Sequence, residues 1–195
     1  MLLAAACSLV SLGGCGGTHT PQSALTKQFT DIAKVYPFHA DLSRQSRLYF
    51  LIPKPASPSS PPLSTVAAVL YRYKDNWSVW QYASIADATG LNECDVALGA
   101  TVPLTTSPRD LQPPKPVRPN VEQTSSPKYI LIAGQIERNA QAVGSLMLTF
   151  GGKRYAATLL AAGFWFAKVQ NVGGRLDLLL KDANGREICN SRDEP

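Results

Sequence analysis

From Tyr129 to Cys189 the chain is written in short apolar runs of period two, "YILIAGQI", "GSLMLTF", "KRYAATLL", "FWFAKVQ", "RLDLLLKD" and "REIC", with turn residues between them. Alternation over so few residues is the mark of strands that bury one face. Gly151-Gly152 suits a two-residue hairpin loop, because both central positions of a type I′ turn take positive φ, and Asn184-Gly185 in "DANGRE" predicts a second turn of the same kind. No helical run separates these segments, which argues against parallel strand pairs joined by crossover helices. The pattern predicts an antiparallel β-sandwich or small barrel. Ile130, Ile132, Leu146, Leu148, Phe150, Leu176, Leu178 and Leu180 are its core candidates, with Phe164 and Phe166 packing beside them.

The first half carries the same rhythm more loosely. "RLYFLIP" and "TVAAVLYRY" read as strands, and Lys74, Asp75 and Asn76 close a hairpin into "WSVWQYASI". Ahead of them, "TPQSALTKQFTDIAKVYP" predicts a helix with Thr20 as N-cap, Pro21 at the first helical position and Pro37 just past the end. Leu25, Phe29, Ile32, Ala33 and Tyr36 would form its apolar stripe. The fold class is therefore mainly β with one short N-terminal helix.

Two proline-rich stretches divide the chain. Pro53 to Ser64 reads as an exposed loop, and Pro103 to Pro127 as an extended, solvated linker or arm. "PPKPVRP" within the second has the spacing of peptides that bind SH3 domains, although proline spacers are commoner than proline ligands. The predicted layout is a targeting segment over 1–14, a tether over 15–22, a helix with strands over 23–102, a linker over 103–127, and a β-sandwich region over 128–192.

Residue chemistry argues against most enzymes. Only two histidines occur, His19 in the tether and His39 in "YPFHAD", and no GxSxG, HExxH or P-loop motif is present. Ser125 and Lys128 have SxxK spacing, but that motif needs a helix and Pro127 forbids one. "GGKR" at Gly151 lies between two strands and reads as a turn. No catalytic residue, metal ligand or cofactor is predicted. Asp87, Glu93 and Asp95 form an acidic, loop-like stretch whose spacing does not match a calcium loop, and they are the carboxylates a hydrolase would have to use. The formal net charge of +5 comes from scattered basic residues rather than runs interleaved with aromatics, so a nucleic-acid partner is not expected. Aromatics offer the best binding surface. Trp80 and Tyr82 fall on the opposite parity from Trp77 and Val79, Trp165 opposes Phe164 and Phe166, and Trp80, Tyr82 and Trp165 are candidates for an exposed stacking platform.

The N-terminus gives an address. Met1 to Leu12 is apolar and uncharged, too short to span a bilayer, and it ends in Leu12-Gly13-Gly14-Cys15, followed by the glycine-rich, polar "GGTHTPQS". These four residues resemble the lipobox of the bacterial lipoprotein signal class, although the segment lacks the basic residues that usually open such a signal. The resemblance implies removal of residues 1–14, lipidation of Cys15, and anchoring at the outer face of the cell membrane or to the outer membrane. Cys7 would leave with the signal, so Cys94 and Cys189 remain, and an even pair in an exported chain points to a disulfide, with two buried thiols as the alternative. The reading that results is a lipid-anchored, non-enzymatic module that binds or organises a cell-envelope component, a protein or an anionic wall polymer. The alternative is a carboxylate-dependent hydrolase or a carbohydrate-binding protein.

Overall fold

The computed structural model describes residues 19–29, 31–54, 64–85, 96–97, 101–104, 129–136 and 140–191. Helix α1 (Pro21–Gln28) begins as its sequence requires. The Thr20 hydroxyl accepts from the Ser23 N–H at 3.1 Å and the Thr20 N–H donates to Ser23 Oγ at 3.2 Å, so the two residues cap each other. The helix does not continue to Tyr36. Ile32, Val35 and Tyr36 belong instead to strand β1 (Ile32–Asp41). Pro37 disfavours helical backbone at Tyr36, and an edge strand tolerates a residue that cannot donate to the ladder.

β1 is the edge of a four-stranded antiparallel meander completed by β2 (Ser46–Pro53), β3 (Val66–Tyr73) and β4 (Asn76–Ser84). The β3–β4 turn is closed by Lys74 and Asp75, with Asn76 already in β4 opposite Tyr73, and Lys74 has φ 54°. The strands that follow are β5 (Val96–Ala97), β6 (Thr101–Leu104), β7 (Tyr129–Ile136), β8 (Ser145–Phe150) and β9 (Lys153–Ala156). The last four are β10 (Thr158–Leu159), β11 (Phe164–Gln170), β12 (Leu176–Lys181) and β13 (Glu187–Asn190). A central sheet runs β10-β11-β7-β5, with β6 also on β7, and a C-terminal sheet runs β13-β12-β8-β9. The central sheet therefore joins residues from both sides of the proline-rich stretch, and β6 extends two residues into that stretch.

The three sheets stack as layers. Ile130, Ile132 and Ile136 of β7 and Trp165, Ala167 and Val169 of β11 face Leu146, Leu148, Phe150, Leu178 and Leu180 of the C-terminal sheet. From the other side of the same strands, Leu131, Ala133 and Phe164 face Leu48, Phe50, Ala67 and Val69 of the meander. The meander's outer face is covered in turn by Ala24 and Leu25 of α1, against Leu51, Val66, Ala68 and Leu70. The central sheet thus has no solvent face over this span, and each large apolar side chain buried there contributes about 1.5–3 kcal/mol. This layering corrects one expectation: Phe164 and Phe166 pack toward the meander, and Trp165 is the residue that enters the C-terminal core. The sheets are open and layered rather than closed into a barrel.

Hairpin chemistry sets the registers. Gly151 and Gly152 have φ 54° and 76° and join Phe150 to Lys153, the paired ends of β8 and β9, as the two-residue loop requires. Asn184-Gly185 behaves differently. Asp182 N–H donates to Arg186 O and Gly185 N–H to Asp182 O, so three residues form the loop and only Gly185 takes positive φ. Asp182 Oδ1 accepts from the Asn184 and Arg186 N–H groups at 2.8 Å each, which favours this wider turn.

Candidate functional site

The C-terminal sheet is the outermost layer, and its solvent face carries an open groove of about 320 Å³. Alternation places the lining: Leu146, Leu148 and Phe150 point inward, so Ser145, Met147 and Thr149 point outward, and Asp177, Leu179 and Lys181 do the same on β12. The ladder then aligns them in rows. Asp177, Thr149 and Arg154 form one, Asn190, Leu179 and Met147 the next, and Lys181 with Ser145 the third. An apolar floor of Met147 and Leu179 lies between two polar ends. Asp177, whose side chain is 14% exposed, is held by Arg175 Nε at 2.9 Å, and Arg175 also donates to Ser191 O. The side chains of Arg154 and Lys181 make neither a hydrogen bond nor an ion pair among the described residues. Such a surface can bind a ligand through apolar contact flanked by charge, and it holds no pairing of nucleophile and base.

The aromatic candidates do not come together. Trp165 is fully buried in the core between the central and C-terminal sheets, so it presents no face to a ligand. Trp80 and Tyr82 are separated by a register shift: Leu70 pairs with Val79 but Val69 pairs with Gln81, so one residue of β4 is extra. A bulge reverses the parity beyond it. Trp80 consequently packs toward the central sheet with Tyr71, rings 6.2 Å apart, while Tyr82 turns to the helix side, 52% exposed and edge-on to Phe29 at 5.0 Å.

His39 belongs to a second surface cluster, on the helix side of the meander. It stacks on Tyr49 at 5.1 Å and its Nε2 lies 3.7 Å from Asp41 Oδ1. Arg47 donates to the same oxygen at 2.9 Å and lies over the Trp77 ring at 5.0 Å. Burial opposes the Arg47 charge, but hydrogen bonds with Tyr49 and Asp41 outweigh it and hold the guanidinium above its ordinary value. The cluster joins β1, β2 and β4.

Cys189 lies in β13, nearly buried, turned into the core beneath the groove, and its sulfur is engaged rather than free. Cys15, Cys94, Asp87, Glu93 and Asp95 lie outside the described residues, as do the tether before His19 and most of the proline-rich arm. Among the described residues no three His, Cys, Asp or Glu side chains are grouped to hold a metal, and no helix is long and apolar enough to cross a membrane. Sequence reading missed Met147, Leu179, Arg154 and Lys181 as a site. The signal was available, since Met147 and Leu179 are apolar residues at outward positions of alternating strands. No protein-family model, no curated protein and no solved structure matches this chain.

Proposed function

We propose that this chain is a lipid-anchored, non-enzymatic binding module of the cell envelope, with the solvent face of the C-terminal sheet as its binding surface. One observation carries the binding face: a groove on the outermost layer, with an apolar floor and two cations that no other group neutralises among the described residues. Anchoring rests on the lipobox-like Leu12-Gly13-Gly14-Cys15. The N-cap Thr20 lies only five positions after Cys15, so an anchored body would sit within about 18 Å of the lipid attachment. The module would be held at the outer face of the cell membrane or at the outer membrane.

A Cys94 to Cys189 disulfide is part of this reading. Val96, two residues beyond Cys94, pairs with Ile136, and Ile136 shares its core with Cys189. That proximity supports the pairing.

Radiolabelled palmitate tests the anchor: it enters the wild-type protein and not Cys15→Ser, and equal labelling of both removes the anchoring claim. Crosslinking and pull-down of the anchored protein from intact cells tests the binding face. Envelope material recovered with the wild type is lost from the paired Arg154→Gln, Lys181→Gln variant; unchanged recovery would place binding elsewhere.

A further inference from the structure

The layout of the groove specifies a ligand class, and this step rests on the reading of the C-terminal sheet as the binding face. We infer that its occupant is an acidic glycan, with sugar rings lying on Met147 and Leu179 and charged groups meeting Arg154 and Lys181.

Charge comes first. Asp177 is neutralised by Arg175, whereas Arg154 and Lys181 have no counter-ion among the described residues. Glu187 faces Lys181 across the β12–β13 ladder but makes no ion pair with it. The groove is therefore net positive, and a concave surface concentrates that potential on whatever enters it.

Spacing comes second. Arg154 pairs with Thr149 and Lys181 with Ser145, so the two cations are four residues apart along β8 and lie on strands either side of it. At roughly 3.3 Å per residue and 4.8 Å per strand their backbones are about 16 Å apart. Two cations set that far apart suit separate charges on an extended ligand better than one compact ion.

The third argument separates a glycan from a uniformly anionic chain. Between the cations lie Met147 and Leu179, directly paired and half-buried, an apolar surface against which the C–H face of a ring can pack. Beside them stand Ser145, Thr149, Asn190 and the carboxylate of Asp177. The Asp177 carboxylate, although its charge is met by Arg175, still accepts hydrogen bonds from the hydroxyls of a glycan, which a chain bearing only anionic side chains lacks. A volume of about 320 Å³ is enough for a short stretch of such a chain.

The test titrates full-length protein in neutral detergent micelles with fluorescent oligogalacturonate, with a neutral malto-oligosaccharide and a charge-matched oligoglutamate as comparators. Oligogalacturonate binds at least about tenfold more tightly than either comparator. Arg154→Gln and Lys181→Gln each weaken it about tenfold, and added salt weakens it further. Met147→Ser weakens it through the floor. Lys27→Gln, which removes the same charge from α1 on the far side of the stack, leaves it unchanged. All these residues are at the surface, so melting temperatures of the variants report that folding is intact. Equal binding of oligoglutamate, equal loss in Lys27→Gln, or no binding of oligogalacturonate overturns the assignment. The cell pull-down separates the two levels. If oligogalacturonate fails while the paired variant still loses envelope material, the binding face stands and the ligand class falls; if both fail, both fall.

Discussion

Phe50 and Phe164 stack with ring centroids 4.4 Å apart and planes 30° from parallel, which ties the second strand of the chain to the eleventh. Both rings are fully buried, and Phe38 packs on each of them, at 6.3 Å from Phe50 and 5.6 Å from Phe164. The seam between the meander and the central sheet is an aromatic cluster contributed by both halves of the sequence.

Truncating Phe164 to Ala should cost about 3–5 kcal/mol, the transfer term plus the cavity left between two sheets. Phe50→Ala should cost a similar amount. The double variant should lose less than the sum, because each single change already removes the stacked pair. Urea denaturation of the four proteins measures this, and strict additivity would mean that the two rings do not share one packing unit.

Gly151 and Gly152 should respond differently to substitution. Both have positive φ, but a methyl group on Gly151 would run into Val172 Cγ2 and Gly173 O, whereas nothing lies within 4 Å of the same position on Gly152. Gly151→Ala should therefore cost clearly more than the roughly 1 kcal/mol expected from φ alone, and Gly152→Asn should be close to neutral. Melting curves decide the order, and equal losses at both positions would remove the role given to Val172.

Lys74 carries strain that its side chain does not repay. It has φ 54° in a two-residue turn, and among the described residues its side chain makes no hydrogen bond or ion pair, only an exposed approach to the Tyr73 ring at 5.6 Å. Lys74→Gly should stabilise by about 0.5–1 kcal/mol, seen as a higher urea midpoint at unchanged slope. A lower midpoint would show that the turn depends on the lysine.

If Cys94 and Cys189 are joined, either single change to serine should cost about 2–5 kcal/mol in the oxidised protein, and the double variant should lose no more than the worse single one. Mass labelling of the unfolded, unreduced wild type should leave both thiols unmodified. Two labelled cysteines, or additive losses, would show that they are independent.

Much of the fold can be read from alternation, and the parts that cannot have identifiable causes. The strands after Tyr129 and the start of α1 follow from local chemistry: paired turn residues, a capping threonine, a proline at the first helical position. The end of α1 does not, because Ile32, Ala33 and Tyr36 fit a helical stripe and a strand equally well, and the need of β2 for an antiparallel partner settles it. The Trp80 and Tyr82 pairing fails for a single-residue reason, a bulge that period-two reading cannot detect. The stacking of layers was signalled only by continuous apolar runs, Ile130 to Ala133 and Phe164 to Trp165 to Phe166, where both faces of a strand are covered. Outward-facing Met147 and Leu179 mark the groove, yet which sheet would be outermost depends on contacts far apart in the chain.

The doubly covered central sheet also dictates when this protein can finish folding. Leu48, Phe50, Ala67 and Val69 have their apolar partners in Leu131, Ala133 and Phe164, which leave the ribosome long after the meander itself. At roughly 5–20 residues per second that gap lasts several seconds. During it the growing chain carries a sticky, half-finished sheet, and the late, long-range pairing that covers it is the kind that folds slowly. The first half therefore draws part of its core from the second, and truncations that stop before Tyr129 should aggregate instead of yielding a smaller soluble domain.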